Sequence, residues 1–156
     1  MTAGDTSRMD ERSRRRVTTL LWVVVALDVA YWIAWYADRS LVASNTRAAY
    51  YEFENAFPVA DAWLGLCAAA AAIALRRRSN TALLWLLLAG GAGGYLLGMD
   101  VLYDLENSIW WSSGAGGVIE LAINLATAAV SGVLIRWTWL HRDTLLRPEN
   151  SEVLDR

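Results

Sequence analysis

Asp100 and Asp104 stand four residues apart near the end of a long apolar run, and Glu120 and Asn124 repeat that spacing near the start of the next. Four residues is just over one helical turn, so each pair shares a helix face. Asp61 lies one turn inside another apolar run, and Glu52, Glu54 and Asn55 sit in the loop before it. Asp28 is the deepest acid: eleven residues into its run, or about 16 Å along a helix axis, near the middle of a ~30 Å hydrocarbon core.

Carboxylates and amide oxygens in this pattern suit a small set of chemistries. They are the ligands of hard cations such as Ca2+ or Mg2+, calcium taking six or more oxygens. They could hold a cationic or polyol headgroup, or relay protons through Asp28, Glu120 and Asn124. They could also act as a general acid and base pair inside the membrane. The candidate ligand-binding residues are therefore Asp28, Asp61, Asp100, Asp104, Glu120, Asn124, Glu52, Glu54 and Asn55. No cofactor is evident; a divalent cation is the one that the residue types admit, and its identity is open.

Other chemistries lack their residues. Cys67 is the only cysteine and His141 the only histidine, so one copy can form neither a disulfide nor a usual zinc set. No nucleophile motif or cofactor fingerprint is present, and the glycines of "GGAGG" lie inside an apolar run, not in a phosphate loop. The balance leans against an enzyme and towards a non-catalytic binding or accessory role. An intramembrane acid–base enzyme and a small transporter or proton-relay subunit are the alternatives. Nothing calls for a nucleic acid; a homo- or hetero-oligomer stays open.

The elements that must position these groups are helices. The hydrophobic fraction is 56% over 156 residues, with nine Trp, which fits a polytopic membrane protein and not a small soluble domain. Four stretches reach the roughly 20 residues that a crossing takes: 17 to 37, 58 to 75, 81 to 103 and 117 to 140. Runs this continuously apolar are helices, since barrel strands alternate. The expected fold is an all-α membrane protein, four transmembrane helices in an antiparallel bundle. The basic start is read as leading into an uncleaved first helix. Residues 1 to 16 and 142 to 156 read as polar, disordered tails.

Arginine sets the orientation. The chain has fourteen Arg and no Lys; twelve flank one side of the spans, leaving only Arg39 and Arg47 on the other. The positive-inside rule then places both termini in the cytoplasm, in the plasma membrane. The arginines before the first span could also hold anionic lipid. Trp22, Trp85, Trp137 and Trp139 fall in the inner aromatic belt, and Trp35, Tyr36, Trp63, Trp110 and Trp111 in the outer one.

Gly90, Gly94 and Gly98 recur every four residues and are expected to form the helix-packing groove, with Ala68 to Ala72 as its partner. Leu or Ile at Gly94 should then destabilise the bundle. The segment "RAAYYEFENAFP" reads as a short surface helix, with Pro58 at the first position of the second span. Seven outer carboxylates (52, 54, 61, 100, 104, 106 and 120) face only Arg39 and Arg47. A purely structural network should use those two arginines to neutralise the cluster.

Overall fold

The computed structural model describes residues 11–112 and 114–146, and these are helical with no strand among them. Four long helices dominate: α1 (Glu11–Asp38), α3 (Pro58–Arg76), α4 (Ala82–Asn107) and α6 (Ala115–Leu140). Each lies in a segment long and apolar enough to cross a membrane. Short helices α2 (Ala48–Glu54), α5 (Ile109–Ser112) and α7 (Arg142–Leu146), and a 3-10 turn at Arg39–Leu41, fill the connections.

The first helix starts well before the apolar run. Glu11 sits in its first turn, where the helix dipole favours a carboxylate, and accepts both Arg14 Nη2 contacts, at 2.5 and 2.6 Å. This i, i+3 pair makes the arginine run compatible with helix. Residues 11 to 16 are therefore helical, which corrects the expectation of a disordered tail there; residues 1 to 10 lie outside the described part. Residues 142 to 146 likewise form α7, and Leu145 is buried against the core; the expected tail beyond 146 lies outside the described residues.

Local chemistry ends each helix. Asp38 accepts Ser40 N at 3.0 Å and Ser40 Oγ at 2.6 Å, turning the chain out of α1. Pro58 sits in the first turn of α3, where its missing N–H costs nothing. At the other end of α3, Ser79 N donates to Ala74 O and Arg78 N to Leu75 O, the paired bonds of a Schellman ending. Arg78 occupies the left-handed position with φ +52°, where a Cβ costs about 1 kcal/mol relative to glycine. Gly114, with φ +56° and ψ −127°, precedes α6 in a conformation that side chains resist.

Packing is inside out relative to a soluble protein. Leu27, Ile33, Leu125 and Leu140 face outward, while alanines and small residues fill the interior. Cys67, Ala68, Ala71, Ala72 and Leu75 of α3 meet Leu86 and Ala89 of α4, with Val17, Leu21 and Leu134 closing the cluster. Small residues let helix backbones approach where lipid supplies no hydrophobic drive. α3 packs between α1 and α4, and α4 packs against α6, whereas α1 and α6 touch sparsely. Trp137 Nε1 donates to Ser13 Oγ at 2.8 Å, bringing the start of α1 and the end of α6 to one end of the bundle, here the terminal end. The loop end carries α2 and α5.

The packing glycines differ from the expected row. A Cβ on Gly90 would lie 2.7 Å from Ile135 Cγ1, and one on Gly93 2.5 Å from Ser131 Oγ, but Gly94 and Gly98 are exposed and face open space. Steps of four residues rotate about 40° around a helix, so a row of fours drifts off any straight interface. The buried face of α4 runs through Ala82, Leu86, Ala89, Gly93 and Leu96 in alternating fours and threes, and ends at Asp104 two turns on. The partner of Gly90 and Gly93 is α6, not the alanine row of α3.

Candidate functional site

The polar residues collect at the loop end, where one face of α1 serves as a rack of donors. Tyr31, Trp32 and Trp35 fall three, four and seven residues after Asp28, on a common stripe. Tyr31 Oη donates to Glu54 Oε2 at 2.8 Å, Trp32 Nε1 to Asp61 Oδ2 at 3.0 Å, and Trp35 Nε1 to Asn55 Oδ1 at 3.1 Å. Trp35 is only 4% exposed, so it belongs to this rack and not to an aromatic belt. Asp28 lies against the bare backbone of α3: a Cβ on Gly65 would come within 2.6 Å of Asp28 Oδ2. Asp61, one turn further along α3, is close enough for the two charges to interact.

The α4–α6 side is built from the other acids. Asp104 is 2% exposed, and its Oδ2 accepts Asn124 Nδ2 at 2.6 Å and Trp110 Nε1 at 2.8 Å. Trp110 reaches it because Ser108 turns left-handed, φ +57°, and leads the chain into α5, which packs on α6. Glu120 accepts the hydroxyl of Ser44, whose own N–H donates to Tyr50 Oη at 3.3 Å. Asp100 is half-buried and receives no hydrogen bond from the described residues, and Glu54, Glu120, Asp104 and Asp61 are the carboxyl groups around it. Helix α2 closes over this group, with Tyr50 and Glu54 buried beneath it and Phe53 stacked on Tyr103 at 3.8 Å.

Of the expected site residues, the structure brings Glu54, Asp61, Asp100, Asp104, Glu120 and Asn124 towards one another, with Asp28 deeper beside Asp61. Asn55 takes part through Trp35 alone, and Glu52 is exposed and points away. The two arginines of this end do not neutralise the cluster. Arg47 donates to Asn107 O at 3.1 Å and Asn45 Oδ1 at 3.3 Å, and Arg39 lies over the Tyr51 ring at 4.7 Å. A cleft of about 420 Å³ opens beside them, lined by Trp35, Tyr36, Ala37, Asp38, Arg39 and Asn55; it contains none of the clustered carboxylates.

Ser44, Tyr50, Trp110 and two glycines complete the site without an obvious sequence signal. Ser44 and Glu120 are far apart in the chain, so no spacing connects them. A Cβ on Gly116 would run into the Ser44 carbonyl, and one on Gly117 into the carbonyls of Ile109 and Trp110. These close approaches seat the start of α6 so that Glu120 meets Ser44 and Asn124 meets Asp104. As a segment, "SSGAGG" reads only as a flexible turn.

Two buried polar atoms stand out. Asn124 is 3% exposed, and its Oδ1 has no hydrogen-bond partner; the Tyr103 hydroxyl is buried and unpartnered as well. Among the described residues, no group of three or more His, Cys, Asp or Glu is close enough to hold a metal ion. The carboxylates feel one another's charge, yet most are held apart by their own neutral donors. Comparison with family models, curated proteins and solved structures finds no match.

Proposed function

We propose that this chain is a small, non-catalytic binding or accessory protein of the plasma membrane, with both termini cytoplasmic and its acidic cluster facing outward to take a cationic group. The orientation rests on the arginine distribution, twelve against two, under the positive-inside rule. One observation carries the cation reading. The carboxylates around Asp100 are held by indole, phenol, hydroxyl and amide donors, and neither Arg39 nor Arg47 pairs with them. Neutral donors satisfy lone pairs but leave charge uncancelled, and acids at membrane depth cost roughly 2.5 to 3.5 kcal/mol each on insertion scales. A cation entering the cluster offsets that cost. The absence of a three-ligand group among the described residues favours a proton-bearing or organic cation over Ca2+ or Mg2+.

At the cytoplasmic side Arg15 and Arg16 remain exposed at the start of α1. They suit anionic lipid headgroups, at about 1 kcal/mol per charge.

The test is thermal unfolding of the detergent-solubilised chain with sodium, magnesium, calcium, ethylammonium and tetramethylammonium added in turn. A ligand that prefers the folded state raises the midpoint. At least one cation should do so in the wild type and do so less in Asp100→Asn. A midpoint indifferent to every cation contradicts this reading.

A further inference from the structure

We infer that the cation is a primary ammonium group, held between Asp100 and Asn124 Oδ1 at the α4–α6 interface; this rests on the cation reading above. The register of the two helices brings these residues together. Gly93 faces Ser131 across the antiparallel pair. Seven residues, two turns, further along α4 is Asp100, and seven residues back along α6 is Asn124, so the two stand level. Asp104 and Glu120 form the next level out, and the bond from Asn124 Nδ2 to Asp104 Oδ2 at 2.6 Å crosses between the levels.

Asn124 is the observation that points to a ligand with donors. Its NH2 is committed to Asp104, while its Oδ1 is buried and accepts from nothing. Turning the amide over offers no relief, because it would set Oδ1 against the Asp104 carboxylate. Its level-mate Asp100, which is half-buried, receives no donor from the described residues either. Buried acceptors left without partners cost free energy, and nearly all such groups in folded proteins are satisfied. Tyr103, three residues beyond Asp100, leaves a second buried oxygen without a partner.

The missing piece is thus a compact positive charge that donates in several directions. A primary ammonium has three donors at one centre. A guanidinium presents a planar fork that matches one carboxylate edge-on, and its remaining donors lie in that same plane. A quaternary ammonium has charge but no N–H, and binds through aromatic faces. A divalent metal wants more oxygens than gather here. The ammonium could belong to an aminophospholipid headgroup or to a soluble amine, since both present the same group.

The experiment compares ethylammonium with tetramethylammonium and sodium at equal ionic strength and pH, reading the unfolding midpoint of the full chain in detergent. Ethylammonium should raise it by roughly 5 °C at a hundredfold excess over its Kd, with little response to the other two. Asp100→Asn should lose the ethylammonium response, and Glu52→Gln, outside the cluster, should keep it. Should Asp100→Asn fail to fold, the wild-type comparison still decides. An equal response to all three cations overturns the ammonium assignment but leaves the cation reading standing; no response to any overturns both. An ethylammonium response that persists in Asp100→Asn also overturns it. In nanodiscs, a rise on exchanging phosphatidylcholine for phosphatidylethanolamine identifies the headgroup as the source. A rise in phosphatidylcholine discs only on adding ethylammonium identifies the soluble amine.

Discussion

At the terminal end Glu11 receives Arg14 at 2.5 Å, with Arg15 and Arg78 within 4.0 Å, whereas at the loop end the buried Asp104 receives an indole and an amide and no cation. Below Glu11 the helices close on alanine, with Cys67, Ala68, Ala71 and Ala72 fully buried. Below Asp104 they close on Asp100, Asn124 and Ser131. The two ends use arginine differently as well. At the terminal end Arg14, Arg15 and Arg78 gather on Glu11, while at the loop end Arg39 and Arg47 bind a ring face and neutral oxygens. The difference separates an exposed carboxylate paired in place from a buried one that is only hydrogen-bonded. Charge cancelled in place needs nothing further, but charge that is only hydrogen-bonded still favours a positive partner.

Breaking the loop end should cost most where backbone meets backbone. Gly117→Val drives a branched side chain into the Ile109 and Trp110 carbonyls, and overpacking against backbone has little room to relax. A loss of about 3 kcal/mol in unfolding free energy is expected. An unchanged midpoint would mean that the start of α6 is not seated as described.

A pair of tryptophans sharpens the contrast between the ends. Trp110→Phe removes one of the two donors to Asp104 and should cost about 2 kcal/mol, the range for hydrogen bonds to charged groups. Trp139→Phe, at the terminal end, alters a ring that is 62% exposed and should stay within about 0.5 kcal/mol. Equal losses at the two positions would erase the distinction between a donor and a surface ring.

The smallest effect belongs to Gly94→Leu. A Cβ there would meet nothing outside its own turn of helix within 4 Å, so the unfolding free energy in detergent should change by less than about 0.5 kcal/mol. The same substitution at Gly90, against Ile135 and the Ser131 carbonyl, should be clearly worse. A large loss at Gly94 would point to a second surface packed there.

The four long helices and the gathering of acids were legible in the sequence, because each follows from properties that need no partner: apolar length, helical spacing and charge balance. What failed needed knowledge of the neighbour. Gly94 and Gly98 looked equivalent to Gly90 until the rotation of α4 against α6 fixed which face was covered. Trp35 and Trp110 looked like interface rings because an indole N–H satisfies a headgroup or a carboxylate equally well. Glu52 looked like part of the lid because a short helix has several faces, and only packing on Tyr103 decides which one turns inward. Ser44 carried no signal at all.

The central claim is that the Asp100 carboxyl has neither a cation nor a hydrogen-bond donor beside it among the described residues, while Asp104 is held by two donors. Its most direct test is the unfolding midpoint of Asp100→Asn and Asp104→Asn in amine-free detergent buffer. Removing an uncompensated charge should raise the midpoint, and removing a doubly bonded acceptor should lower it. The account therefore predicts shifts of opposite sign. A fall in both variants would contradict it, by showing that Asp100 is already stabilised within the protein.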